Sequence, residues 1–290
     1  MTPLDYEYLR RLLKERSGLD LSTDKQYLVE SRLLPLARRA GLSGITELVQ
    51  KMKSGAEQLT CDVVEAMTTN ETFFFRDKIP FDHLNDSILA ELARSRAGRR
   101  SIRVWSAACS TGQEPYSIAM CLREFGPALS GWRNEIVATD LSHEVLEKSK
   151  AGLYSQFEVQ RGLPIQLLVK YFTQLGEFWQ LSADIRGMVQ HRQLNLLQDF
   201  SHLGKFDVIF CRNVLIYFDQ ETKTSIFERM ARMLEPDGYL MLGAAESVVG
   251  ITDAFRPCPD RRGLYQLNPA RMARSAGGAL LPGLKVVAAR

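Results

Sequence analysis

Cysteine is scarce and badly spaced for structural use. The five residues, Cys61, Cys109, Cys121, Cys211 and Cys258, lie at least 12 positions apart, which gives no CxxC metal or redox pair and no disulfide framework. The four histidines are equally scattered and form no HExxH-type ligand set, so no metal is expected. Long apolar runs are missing as well. The most hydrophobic stretch, 206–218, is interrupted by Asp207, Arg212 and Asn213, whereas a spanning helix needs about 20 apolar residues. The opening segment MTPLDYEYLRRLLKERSG has no apolar core of a signal peptide, so a cytoplasmic location without membrane insertion is expected. Charge of one sign is also lacking, with a formal net charge of +3, too little to point to nucleic acid.

What is present is an ordinary globular mixture, 45% hydrophobic and 24% charged over 290 residues, enough for two domains with real cores. The excess charge is local. Arg94, Arg96, Arg99, Arg100 and Arg103 crowd one stretch, which reads as a solvated linker over 77–101. A Gly/Ala-rich tail over 269–290 carries Arg271, Arg274, Lys285 and Arg290 without an acid, and is expected to be disordered.

Residues 1–76 read as a small helical bundle. Thr2-Pro3 with Asp5 resembles a capped helix start and Gly18 its stop. Further helices are expected over about 22–41, with Pro35 a kink candidate, then over 44–54 and from Thr60. Over 102–268 strands alternate with helices: IRVWSA, EIVATD, FDVIFCRN and GYLMLGA are strand candidates separated by helical segments. Such alternation predicts an α/β fold with a mostly parallel sheet, its ligand crevice at the carboxyl ends of the strands. Over about 154–194 a helix-like PIQLLVKYF precedes FWQLS and MVQHRQL, read as a hairpin in an inserted antiparallel β-subdomain.

The loop 108–114, ACSTGQE, follows the first strand and has one glycine, so the GxGxxG dinucleotide fingerprint is absent. Asp140 ends the second strand, 28 residues after Gly112, where a carboxylate accepts hydrogen bonds from ribose hydroxyls. Its competing role is a helix N-cap, which Ser142 also suits. Asn195, Arg212 and Asn213 end two further strands on the same rim. In TTNETFFFR, at 68–76, the phenylalanines read as interdomain packing, and Arg76 as a guanidinium for a carboxylate.

In order along the chain, NETFFFR, AACSTGQEPYSIAM, ATDLS, LNLL, FDVIFCRNVLIYF and GYLMLGAAES resemble the CheR-type chemotaxis receptor methyltransferases, protein-glutamate O-methyltransferases. The resemblance runs from the N-terminal helices to Leu267 and implies a Rossmann-like S-adenosylmethionine (SAM)-dependent methyltransferase domain. It implies methyl transfer from SAM to receptor glutamates, with S-adenosylhomocysteine (SAH) as product. Matched by position, the cofactor contacts fall on Asn70, Thr72, Arg76, Glu114, Asp140, Asn195, Leu196, Arg212 and Asn213, with Asp140 on the ribose. Arg76 and Tyr217 are the candidates beside the reacting atoms.

Lys25, Arg32 and Arg39 recur at seven-residue intervals, with Arg38 beside them. Such a stripe is ordinarily a solvated face; the resemblance makes it the surface that docks on the acidic helical bundle of methyl-accepting receptors. Arg32 and Arg38 are expected to matter most, and changing both to Glu is expected to spare cofactor binding. Some members dock a receptor's C-terminal pentapeptide on the β-subdomain. LGEFWQLSADIRGMVQ lacks the glycine-rich turn associated with that mode, so pentapeptide independence is expected. The alternatives are a SAM-dependent methyltransferase with another acceptor and a non-catalytic SAM or SAH sensor. A nicotinamide dehydrogenase is disfavoured by the missing glycines, and a nucleic-acid methyltransferase by the absence of an NPPY-like motif.

Overall fold

A computed structural model describes residues 1–271; the expected disordered tail lies, beyond Arg271, outside the described residues. Four helices form the N-terminal bundle: α1 (Pro3–Ser17), α2 (Gln26–Arg39), α3 (Ile45–Lys53) and α4 (Glu57–Met67). Thr2 and Asp5 make a reciprocal capping box at the start of α1, and Gly18 ends it in a left-handed conformation. The helix α2 runs through Pro35 to Arg39. Leu9, Leu13, Val29, Leu33, Leu48, Val49 and Val63 interlock as a separate core.

Residues 77–101 are not a linker. They contain α5 (Ile79–His83), a π-helical turn at Leu84–Ile88 and α6 (Leu89–Ser95), which bury Phe81, Leu84, Ile88 and Leu92 in the main core. Apolar residues three and four apart from Phe81 to Leu92 carry that helical period. Nor is the arginine cluster solvated as a whole. Arg96 is buried, donating from Nε to Asp207 at 2.7 Å and from Nη1 to Asp237 at 2.7 Å. Arg99 Nη2 reaches the same Asp207 at 2.5 Å, and Asp207 Oδ2 also accepts the Arg103 backbone N–H at 2.8 Å. Asp207 is fully buried at the start of a strand, and a carboxylate there needs these cations and donors.

The large domain is built from β1 (Ser101–Ala107), α7 (Gln113–Glu124), β2 (Arg133–Asp140), α8 (His143–Ala151), β3 (Leu153–Ser155), α9 (Gln156–Gln160), α10 (Ile165–Tyr171), β4 (Phe172–Leu175), β5 (Phe178–Leu181), α11 (Ala183–Arg186), β6 (Val189–Gln193), β7 (Phe206–Cys211), α12 (Gln220–Met233), β8 (Leu234–Leu242), β9 (Phe255–Pro257) and β10 (Leu264–Leu267). The seven-stranded sheet has the order β6-β2-β1-β7-β8-β10-β9, parallel from β6 to β8, with β10 antiparallel to both of its neighbours. Ile102 and Val104 face one core, Trp105 and Ala107 the other, so the sheet is covered on both sides. The chain leaves β1 toward β2 and later returns to β7 on β1's other flank. This reversal opens a crevice at the carboxyl ends of β1, β2 and β7.

The inserted sheet differs from the expected hairpin. Its three antiparallel strands are β3-β5-β4, and MVQHRQL supplies β6, which pairs in parallel with β2 in the main sheet. The intervening 183–187 is a short helix rather than a tight turn. Parallel pairing requires a long crossover, here all of 141–188 between β2 and β6, which strand propensity alone does not reveal. The tail reading also shifts at its first residues, because Arg271 forms ion pairs with Glu228 at 2.5 Å and Asp253 at 2.9 Å.

The bundle is fastened to the sheet domain by polar contacts. Lys14 pairs with Asp219 at 2.7 Å, and Asp219 also caps α12. The Asp20 N–H donates to the Tyr217 carbonyl at 2.9 Å, and Glu65 Oε1 accepts the His143 N–H at 2.6 Å. The Lys14 hydrogen bond, helped by Thr222, draws the Asp219 carboxyl down to about 2. A carboxyl depressed on folding contributes stability above its ordinary value, and that contribution is lost as pH falls toward 2. In Asp219→Ala, unfolding at pH 7 is expected to be easier by about 1 kcal/mol, the usual worth of a cap. The gap from wild type should close between pH 4 and pH 2 in denaturant titrations.

Candidate active site

One cavity, with about 1030 Å³ of empty space partly open to solvent, lies where the bundle meets the sheet rim. Asn70, Thr72 and Arg76 line it from the segment after α4, Glu114 from the start of α7 and Asp140 from the end of β2. Asn195 and Leu196 enter after β6; Arg212, Asn213 and Tyr217 enter after β7. All the residues expected at a cofactor or beside reacting atoms therefore share one wall system. Ser17, Leu19 and Met67 add a lining from the bundle itself.

The loop after β1 achieves its close approach by backbone conformation. Ala108, Ser110 and Gly112 have φ of 57°, 51° and 97°, all in the left-handed region that side-chain-bearing residues avoid. A Cβ on Gly112 would stand 2.2 Å from Ser149 Oγ, so only glycine fits. The turn sends the Ser110 N–H to Asp140 Oδ2 at 2.8 Å, while the Ser142 N–H reaches Oδ1 at 3.0 Å. Ser142 caps α8, accepting from Val145 N at 3.4 Å. That leaves Asp140 for the cavity, its carboxylate held by backbone donors and with further lone pairs to offer. Burial pushes its carboxyl above the ordinary range, against the pull of these backbone donors.

The lining itself contains a buried ion pair. Arg212 Nη1 donates to Glu114 Oε2 at 2.9 Å, and the Ser106 hydroxyl donates to Oε1 at 2.8 Å. Arg212 Nη2 donates to the Arg76 carbonyl and to Asp77 Oδ2, both at 2.7 Å. Its Nε is buried without a protein partner among the described residues. Burial raises the Glu114 carboxyl, opposed first by Arg212. Asp77, absent from the sequence expectations, thus helps neutralise this guanidinium.

Further residues hold the walls. Arg229 on α12 donates to the carbonyls of Leu196 at 2.6 Å and Gln198 at 2.5 Å. It lies over the Phe200 ring, so it steadies the loop bearing Asn195. That asparagine bridges the domains, its Nδ2 donating to the Arg16 carbonyl at 2.6 Å. Phe74 is buried edge-on against Tyr154 and Phe172, while Phe75 packs on Phe81; both pack into the core of the sheet domain rather than between the domains as expected. Arg76 Nη1 donates to the Glu71 carbonyl at 2.5 Å, leaving other donors of its guanidinium for a ligand.

The docking stripe divides. Arg38 and Arg39 are exposed at the end of α2, and Lys25 is half-buried beside Asp24. Arg32 is engaged: Nη1 donates to the carbonyls of Met67 at 2.6 Å and Thr68 at 2.9 Å, and Nη2 to Thr69 Oγ1 at 2.9 Å. These three partners line the cavity, so the expectation that an Arg32 substitution spares the pocket does not fit this geometry.

Residues 70–264 match the model of the CheR methyltransferase SAM binding domain, and residues 4–68 match that of the CheR methyltransferase all-alpha domain. The chain belongs to the CheR methyltransferase family. It is 44% identical over 256 residues to chemotaxis protein methyltransferase 1 of Pseudomonas aeruginosa, covering 87% of this chain and 93% of that protein. It is also 44% identical over 258 residues to chemotaxis protein methyltransferase Cher2 of Pseudomonas putida, covering 87% and 94%. Chemotaxis protein methyltransferase 1 of Vibrio cholerae is 42% identical, covering 87% and 92%. The protein is accordingly a SAM-dependent methyltransferase of chemotaxis. The cavity's chemistry fits that cofactor: buried carboxylates on a sheet rim suit ribose hydroxyls and a sulfonium cation, and the donors of Arg76 and Arg212 suit a carboxylate.

Arg212→Met strands the buried Glu114 carboxylate, and unfolding is expected to become easier by about 3–5 kcal/mol. Adding Glu114→Gln removes the stranded charge and should recover part of that loss. Thermal and denaturant melts of the single and double variants check this; additive losses would contradict it.

Proposed function

We propose that the protein methylates glutamate side chains of methyl-accepting chemotaxis receptors, giving glutamyl methyl esters and SAH. The observation that carries this reading is the convergence of Asn70, Thr72, Arg76, Glu114, Asp140, Asn195, Leu196, Arg212, Asn213 and Tyr217 on one cavity between a helical bundle and a methyltransferase sheet. Residues 1–76 serve as the receptor-docking part and the sheet domain as the catalytic part. Asp140 holds the ribose, Asn195 and Leu196 flank the adenine, and Arg212 with Asn213 lies under the methionyl side.

Bound in the cavity, SAM supplies a methyl group on an electrophilic sulfonium. A glutamate, with an unperturbed pKa of about 4.3, is already ionised at neutral pH, so the chain needs no general base. Its work is alignment and exclusion of water. Arg76, at the cavity rim, orients the acceptor carboxylate, and Tyr217 offers a phenol hydroxyl beside the methyl acceptor. Among the described residues no histidine lines the cavity, and Cys109 in its lining is buried with its thiol pushed well up by desolvation, unsuited to nucleophilic work. The reading includes action in the cytoplasm on the receptors' helical bundle, with no metal, nucleic acid or membrane insertion. Among the described residues no helix is long and apolar enough to cross a membrane.

The test is transfer of labelled methyl from SAM to receptor-bearing membranes, scored as methanol released by alkali. Base-labile label on a receptor-sized band is expected; label that survives alkali would point to another acceptor. SAH binding without any label would favour a sensor.

Arg38→Glu with Arg39→Glu is expected to raise the KM for receptor about tenfold, corresponding to about 1.4 kcal/mol, with SAH affinity unchanged. Arg32→Glu should weaken both, because its partners line the cavity. Equal effects of the two variants on SAH affinity would refute this division of the stripe.

The inserted sheet carries no glycine-rich turn, and its β4–β5 turn contains Gly176 alone, which supports pentapeptide independence. Calorimetric titration with a receptor C-terminal pentapeptide should give no saturable heat; a saturable isotherm would overturn the point.

A further inference from the structure

Glu246 stands outside the cavity lining, yet its carboxylate gathers four backbone donors from two chain segments. Oε2 accepts the N–H groups of Asn213 and Gly243, each at 2.8 Å. Oε1 accepts those of Val214 at 3.0 Å and Leu215 at 2.8 Å. The first segment follows β7 and the second follows β8, so one side chain ties together the exits of two adjacent strands. Successive N–H groups converging in this way form an anion-binding nest. Here the anion is supplied by the protein itself.

The nest exists because of a strained turn. Asn213 has φ of 59°, a left-handed conformation that costs energy for a residue with a Cβ and persists only when its surroundings fix it. The turn points three consecutive N–H groups inward, and without an acceptor these would be unsatisfied donors. Gly243 completes the arrangement: a Cβ there would lie 2.8 Å from Glu246 Oε2 and 3.0 Å from Asn213 N, so the carboxylate approaches only because that position is bare. Asn213 and Val214 line the cavity. Leu215 is buried and opens the 3-10 turn that ends at Tyr217, another cavity residue.

We propose that Glu246 is a positioning residue for the ligand site: by accepting the N–H groups of Asn213, Val214 and Leu215, it holds the wall that carries Asn213 and Tyr217 in its ligand-ready shape. The inference rests on the cavity being the SAM site. It adds a residue that reaches neither cofactor nor acceptor and acts wholly through the backbone of others.

Glu246→Gln keeps the size and one acceptor oxygen but turns an NH2 group toward two backbone donors. Its SAH Kd, measured by calorimetry on the full chain, is expected to rise about tenfold, and the KM for SAM to rise with it. Glu246→Asp, which retains the carboxylate on a shorter arm, should recover part of the affinity. The control is Asp237→Asn, which weakens the Arg96 pair at the other end of the sheet; it should lower thermal stability without changing SAH affinity. Wild-type affinity in Glu246→Gln would overturn the proposal, as would an equal loss in Asp237→Asn, which would mark the effect as general destabilisation. Hydrogen exchange at the amides of residues 213–215 gives a readout that needs no ligand: protection in the wild type and faster exchange in Glu246→Gln are expected. Unchanged exchange would sink the proposal whatever the affinities. Failure of the wild type to bind SAH would instead count against the reading of the cavity, and the exchange comparison would still decide whether Glu246 holds the turn.

Discussion

A buried guanidinium in the cavity lining is the constraint on which the site depends. Arg212 is nearly inaccessible and carries its charge at the end of β7, where an unpaired cation would be prohibitively costly. It satisfies that charge with Glu114 from α7 and Asp77 from the segment after Arg76, and spends a further donor on the Arg76 carbonyl. Two other pieces of chain, α7 and the segment 76–77, must therefore be in place before Arg212 is neutralised. The rim to which they contribute is fixed by the same requirement.

The opposite end of the sheet repeats this logic with the signs exchanged. There a buried carboxylate, Asp207, is surrounded by Arg96, Arg99 and the Arg103 amide. A strand with a buried acid at its start and a buried base just past its end is pinned at both ends. Small rotations of β7 against its neighbours would break charge-assisted bonds, which are roughly twice as strong as neutral ones. The site gains this rigidity with no disulfide among the described residues.

Much of this was legible in the sequence, for identifiable reasons. Asp140, Asn195 and Asn213 are polar residues at the ends of apolar runs, and the strand–helix alternation assigns such positions to one rim. The capping box at Thr2 and Asp5 is a local pattern with a local cause. The misread parts depend on partners distant in sequence. Arg96 resembles any solvated arginine until Asp207, 111 residues later, is known to face it. MVQHRQL has the same strand propensity whether it joins a hairpin or the main sheet, and only the crossover decides. Arg32 fits a surface stripe by spacing; that it grips the carbonyls at the end of α4 follows from how two helices pack. Asp77 and Arg229 gave no signal because each acts through backbone atoms or a neighbour's charge rather than through a motif.

The cavity wall is shared between domains, since Ser17 and Leu19 from the bundle line it together with Asp140 and Asn213 from the sheet rim. A molecule lodged there touches both bodies at once and becomes part of the joint between them. By mass action, anything bound only to the assembled form adds RT ln(1 + [L]/Kd) to its stability, and here that free energy falls on the seam. Occupancy thus acts as mortar, adding to the contacts Lys14–Asp219, Asp20–Tyr217, Asn195–Arg16 and Glu65–His143 that already join the two halves.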